Sequence, residues 1–183
     1  MSYGLPEHRH RFAVWAAARA AQRGFTSVDN LRNALQGTDI RAILADPKSL
    51  QTGASDFEVL HRRWCSSICY TLSQQQVPNV TYGHAAKLIA VYLKTMVVIG
   101  KDWDTPLGRN LHPPIDRILL QRLAGAASIS SPHKKKWRSV NWTQLSEPAY
   151  YGLIAQLREI IPRGEPFWMI EEYWEPTEGA DSA

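Results

Sequence analysis

Residues 78–100 read PNVTYGHAAKLIAVYLKTMVVIG, and this stretch decides the fold. A turn at Pro78-Asn79 leads into a run in which Ala85, Leu88, Ile89, Tyr92, Leu93, Met96 and Val97 recur every three to four residues. That is the spacing of one helical face. Ala86, Ala90, Val91 and Val98 make most of the remaining surface apolar, which predicts a helix surrounded by other helices. Only Lys87 and Lys94 interrupt it, seven apart and therefore on one stripe. A polar insert follows, KDWDTPLGRN (101–110), and then LHPPIDRILLQRL (111–123). The spacing predicts a new helix from Pro113-Pro114, because first-turn N–H groups lack an intrahelical partner and proline is tolerated there. Asp116 falls in that first turn, where the macrodipole favours a carboxylate. A lysine set in an apolar helix and an aspartate at a helix start are the leading candidates for chemistry.

Toward the N-terminus, 8–23 (HRHRFAVWAAARAAQR) reads as a first helix with His8, Phe12, Trp15 and Arg19 on one stripe and alanines beside it. Large aromatics dominate cores, so Trp15 is expected inside. Arg19 among alanines needs an anionic partner, within the protein or on a ligand. Gly24 ends this helix and Ser27 caps the next, 28–36. Asp39 starts a short third helix that stops at Pro47. KSLQTGASD is a loop, and Ser55 with Glu58 forms a capping-box signature for a long helix to about Ser73. Its apolar stripe is Phe57, Leu60, Trp64, Cys65, Ile68 and Leu72.

Beyond residue 123, a small-residue loop ends in Lys134, Lys135, Lys136 and Arg138 flanking Trp137, a candidate surface for a nucleic-acid backbone. Thr143 is expected to begin another helix, with Tyr150, Leu153, Ile154, Leu157, Ile160 and Ile161 inward. FWMIEEYW (167–174) forms a last short one with Trp168 and Trp174 near its ends. Nothing alternates at period two. The expectation is an all-α protein, a compact helical bundle of about seven to eight helices. Residues 1–176 form a single domain, or two small lobes with a cleft between them, and 177–183 a flexible acidic tail.

Composition narrows the function. Of 183 residues, 44% are hydrophobic and seven are Trp, enough for a folded core rather than disorder. All 21 Lys and Arg lie at or before Arg163, while six of the 17 acidic residues lie after it. A basic body with an acidic end suits a polyanionic partner, DNA first among them, or a solvated surface with a counterbalancing tail. Cys65 and Cys69, four apart on one helix face, form neither a metal site nor a disulfide framework and suit a reducing cytoplasm. His8-x-His10 has no third ligand at useful spacing, so no metal is expected, nor any cofactor. There is no phosphate-cradling glycine loop and no nucleophile elbow. No run reaches the length of a membrane span, and the first residues lack a signal-peptide core.

PNVTYGHAAKLI resembles the hairpin and following helix of helix-hairpin-helix DNA glycosylases, and HPPIDRIL resembles their P-x-D segment. The resemblance covers about 45 residues. In that family a turn offers backbone N–H groups to a DNA phosphate, which here implies Tyr82 and Gly83. A helix lysine in the bifunctional members attacks the sugar carbon, and the aspartate supports departure of the base. Lys87 and Asp116 would match these two. The long lysine-to-aspartate gap, a second lysine seven residues on (Lys94), and tryptophans near both ends are most similar to the archaeal 8-oxoguanine DNA glycosylases. The usual glycine pair is absent, with Thr81-Tyr82-Gly83 in its place. An alternative register sets His84 at the lysine position, which implies an enzyme without lyase activity or a member that has lost catalysis.

The chemistry has its own requirements. A lysine nucleophile needs a pKa below its ordinary ~10.4, through burial or a nearby cation. The aspartate must stay ionised to stabilise an oxocarbenium-like sugar. The base must leave the stack for a pocket between aromatic faces. Trp15, Trp168 or Trp174 could line that pocket, with Arg19 or His112 reading polar edges. Equally, Lys87 and Asp116 could be a structural ion pair between adjacent helices. The competing functions are a non-enzymatic nucleic-acid-binding module acting through Lys134–Arg138, and a protein-interaction domain whose acidic tail docks a basic partner.

Overall fold

The computed structural model describes residues 3–175, so the expected acidic tail at 177–183 lies outside the described residues. Within them the chain is all-helical. The α-helices are α1 (Leu5–Gln22), α2 (Val28–Gln36), α3 (Ile40–Ala45), α4 (Ala54–Gln74), α5 (Tyr82–Leu93), α6 (Pro106–Asn110), α7 (Arg117–Gly125), α8 (Lys134–Trp137) and α9 (Glu147–Arg158). Short 3₁₀ turns fill Pro47–Gln51, Trp142–Gln144 and Phe167–Tyr173. The expected seven to eight helices become nine because the polar insert folds α6 and the basic loop folds α8.

α5 is the axis of the molecule. Every residue from Gly83 to Ala90 is buried, and α5 packs most extensively against α1 and α4, with α2, α9 and the 142–144 turn closing around it. Leu88, Ile89 and Leu93 are almost wholly withdrawn from solvent, each worth roughly 1.5–3 kcal/mol of transfer free energy. α5 continues through Lys94–Asp102 as a π-helix that ends where Lys101 turns left-handed (φ 88°). Together, 82–102 is long and apolar enough to cross a membrane by length and composition, which the sequence reading had excluded, but most of it is buried inside the protein.

α1 corrects the expected face. Its buried side is His10, Ala13, Val14, Ala17, Ala18 and Ala21, and Trp15 is 53% exposed beside an equally exposed Phe12. Both sides of α1 satisfy helical spacing. The alanines win because their small side chains let α1 approach α5 closely, with the His10 Nδ1 to Tyr92 hydroxyl contact (3.0 Å) spanning the seam.

Two boundaries also shift. Residues 111–116 are not helical, and α7 begins at Arg117 with Asp116 as its N-cap rather than in its first turn. A residue preceding proline is pushed from the helical region, and Leu111-His112-Pro113-Pro114 has two such positions. In the C-terminal half, α9 starts at Glu147 behind the N-cap Ser146, not at Thr143.

The turn before α5 is enclosed. Asn79 supplies a left-handed residue (φ 56°), and Thr81 caps α5 by accepting from His84 N–H. The Thr81 hydroxyl donates to the Thr143 carbonyl (2.8 Å), and Gly83 N–H donates to the Leu145 carbonyl (3.0 Å). A β-carbon at Gly83 would run into the Trp142 carbonyl oxygen. Gly83→Ala should therefore lower unfolding stability by about 3 kcal/mol, the upper range of an overpacked core, in a urea titration. The same change at Gly152, exposed in mid-α9 where the added carbon meets nothing, should instead raise stability by up to about 1 kcal/mol.

Candidate active site

The central helix and the segment after Pro114 bring Lys87 and Asp116 together. Lys87 Nζ lies 3.0 Å from Asp116 Oδ2, with the two residues only 7% and 4% exposed. Lys87 also donates to the Pro114 carbonyl (3.3 Å). Each carboxylate oxygen of Asp116 is engaged: Oδ1 accepts the Leu119 N–H (2.9 Å) that caps α7, and Oδ2 also accepts the Trp174 indole N–H (3.0 Å). A buried carboxylate with three donors remains a strong acceptor site for positive charge. Burial pushes the Lys87 ammonium below its ordinary pKa, opposed by the Asp116 charge and reinforced weakly by Arg23.

The pair lines a cavity of about 370 Å³, within the size range of small-molecule sites, ~300–1,000 Å³. α1 contributes Arg19 and Ala20, and the residue that ends it contributes Arg23. α5 contributes Lys87 and Val91, and the π segment Lys94, Thr95 and Ile99. Pro114 and Asp116 form one wall, Glu171 and Trp174 another. Lys94 pairs with Glu171 and sits 5.5 Å from the Trp174 ring centroid. Burial raises the Glu171 pKa, with Lys94 pulling the other way. Four cations thus face two carboxylates. A roomier cavity of about 580 Å³ between 128–130 and 159–173 is lined by Glu159, Glu165 and Glu172 with no Lys or Arg, a poor host for an anion.

Of the residues expected from sequence, Arg19 and Trp174 join Lys87 and Asp116 at this cavity, and Lys94 shares its stripe with Lys87. The others lie elsewhere. His84 is buried with its ring stacked on Phe25 (centroids 3.8 Å apart) and bonded to Thr81. Trp168 donates to the Trp103 carbonyl (3.4 Å) and packs edge-on to that ring. Trp15 is on the solvent side of α1.

Gly83 cannot offer its N–H to a phosphate because Leu145 holds it, and the Tyr82 hydroxyl points to His61 and Tyr151. Lys134 is spent on the Ala126 and Ile129 carbonyls (2.6 and 3.1 Å), Arg138 reaches the Ala124 carbonyl, and Trp137 is fully buried. Lys135, Lys136 and Arg138 remain exposed. Sequence reasoning missed Arg23 and Glu171 as site residues. An acid within the apolar FWMIEEYW was the available signal for Glu171.

His112 belongs to a second buried cluster, behind Pro113. Its Nδ1 meets the Tyr150 hydroxyl (3.1 Å), its ring lies 4.8 Å from that of His61, and among the described residues its Nε2 has no partner. Burial holds both imidazoles neutral, driving His61 down to about 3 and His112 well below the ordinary value. The unfolded chain protonates them near ~6.5, so it binds more protons than the fold below that pH. Their contribution to stability is full above ~6.5 and falls as pH drops toward the folded-state value. Unfolding free energies from urea titrations should decline over this window by up to ~2.7 kcal/mol per pH unit, with about half that slope lost in His112→Phe.

Removing one member of the ion pair leaves the other buried and unbalanced, at a cost of ~3–5 kcal/mol. Lys87→Ala should show that loss in urea unfolding, and Lys87→Met/Asp116→Asn should recover much of it. Compared with known proteins, the chain matches no family model, no curated protein and no solved structure.

Proposed function

We propose that this chain is a DNA glycosylase-like enzyme that excises a damaged or modified base and carries lyase activity through Lys87. The observation that supports this most is the placement of Lys87 Nζ and Asp116 Oδ2, 3.0 Å apart, on the wall of one cavity with a cationic mouth. An everted nucleotide would place its sugar against the pair and its phosphates toward Arg19 and Arg23. Asp116 is held by three donors in an orientation suited to stabilising positive charge on the sugar. Burial favours the neutral amine that attack requires. The Lys87 nitrogen forms a bond to the sugar carbon as the glycosidic bond breaks. The bonding pair leaves with the base, which takes a proton; the new amine loses its own proton, and its lone pair then expels the ring oxygen, which is protonated, leaving the imine that borohydride reduces.

The binding-module alternative loses part of its support, since Lys134 is engaged with the Ala126 and Ile129 carbonyls and Trp137 is buried. Borohydride should trap a covalent complex of the wild-type chain with duplex DNA carrying an abasic site. Lys87→Gln should abolish the trap, and Asp116→Asn should slow it by about a hundredfold, the lower end for lost electrostatic stabilisation. Trapping should rise with pH to a plateau whose midpoint lies below the ordinary lysine value of ~10.4. A Lys87→Gln chain that still traps, or no trapping on any abasic duplex, would remove the lyase chemistry.

A further inference from the structure

The exposed stripe of α1 does not belong to the catalytic pair, yet it runs into the same mouth. Phe12 and Trp15 are 54% and 53% exposed, with ring centroids 5.8 Å apart and planes inclined by 38°. Arg19 lies four residues beyond Trp15, about 6 Å along the axis, and Arg23 is the left-handed residue that ends α1, both lining the cavity. Among the described residues no acid pairs with either arginine, and the one side-chain bond of Arg19 goes to Gln22 (3.4 Å). By contrast, Arg11 and Arg41 on the preceding turn side are both satisfied by Glu7. The stripe therefore presents two adjacent aromatic faces followed by two uncompensated guanidinium groups, ending at a hollow.

We propose that this stripe is a seat for single-stranded DNA leading to the cavity, with unstacked bases lying on Phe12 and Trp15 and phosphates on Arg19 and Arg23. Every base offers a π-face, so aromatic stacking binds strands without regard to sequence. Guanidinium groups match phosphate oxygens in pairs. The direction follows from the order of residues: aromatic platform, cations, then the sugar-facing pair. This assignment rests on the reading that the cavity admits an everted nucleotide. It also supplies the backbone contacts that Tyr82, Gly83 and Lys134 do not.

The test is fluorescence anisotropy of the full chain with a short labelled oligothymidylate, across about 50 to 200 mM salt. Wild type should bind with steep salt dependence and quenched tryptophan emission. Phe12→Ala/Trp15→Ala should weaken binding by about tenfold or more and leave the salt slope unchanged. Arg19→Gln/Arg23→Gln should weaken binding and flatten the slope by roughly 1.4, at ~0.7 per phosphate contact on single strands. All four positions are exposed, so thermal melts should match wild type.

Affinity in the aromatic variant equal to wild type would overturn the proposal. So would a wild-type chain that ignores the oligonucleotide but binds phosphatidylserine vesicles through the same residues, a result that would make the stripe a lipid-facing surface. Stripe-dependent binding with no borohydride trap on abasic duplex would retire the lyase and leave this surface standing. Intact trapping with stripe-independent binding would do the reverse.

Discussion

Lys87 and Asp116 approach to 3.0 Å with almost all of both side chains withdrawn from water, and neither charge could be held there alone. Desolvating a single ion in a protein interior costs several kcal/mol even after relaxation. Their mutual attraction offsets this only if the remaining lone pairs and protons also find partners. The surrounding chain meets that condition from four directions. α5 fixes the amine, Pro114 lends a carbonyl, the first turn of α7 lends Leu119 N–H, and the C-terminal segment lends the Trp174 indole. These elements are distant in sequence, so the pair ties the middle of the chain to its C-terminal segment.

A cavity persists beside the pair for two structural reasons. Alanines on α1 bring that helix close to α5, which seats Ala20 and the flanking arginines near Lys87. The wider π turn then carries Lys94, Thr95 and Ile99 along the cavity wall. π segments inside α-helices occur frequently at functional sites, and here the irregularity coincides with the hollow. Filling this space with apolar side chains would bury the Lys94–Glu171 pair further, deepening a desolvation cost already visible in the raised Glu171 pKa.

Much of this was legible in the sequence, and the failures have physical causes. The continuous apolar surface of 85–98 correctly identified a helix enclosed on all sides, and the seven-residue spacing correctly set Lys87 and Lys94 on one wall. Ser27 caps α2 as its position implied. Trp15 went the wrong way because aromatic bulk outranks alanine on any hydrophobicity count, whereas close helix packing favours the smaller side chain. The start of α7 slipped because proline is permissive at a helix N-terminus but restrictive for the residue before it. Lys134 and Gly83 were misjudged for a third reason. Their partners, the 126–129 carbonyls and the Trp142–Leu145 segment, are set by tertiary approach that local pattern does not encode. The family resemblance pointed to Lys87 and Asp116, while the turn it associates with phosphate binding is closed off by the chain itself.

The π segment has an implication for how such a hollow could arise or vanish. A π turn holds one residue more than the α ladder would, and the surplus here is confined to 94–102, leaving 82–93 in undisturbed register. Loss of a single codon in that interval would let the regular ladder resume, with the surplus removed where it sits and the later side chains left near their present directions. The wide turn that now carries Lys94, Thr95 and Ile99 along the cavity wall would tighten without any change to the Lys87–Asp116 pair. The shape of this cavity is thus set by the length of one segment as much as by the identity of the groups that line it.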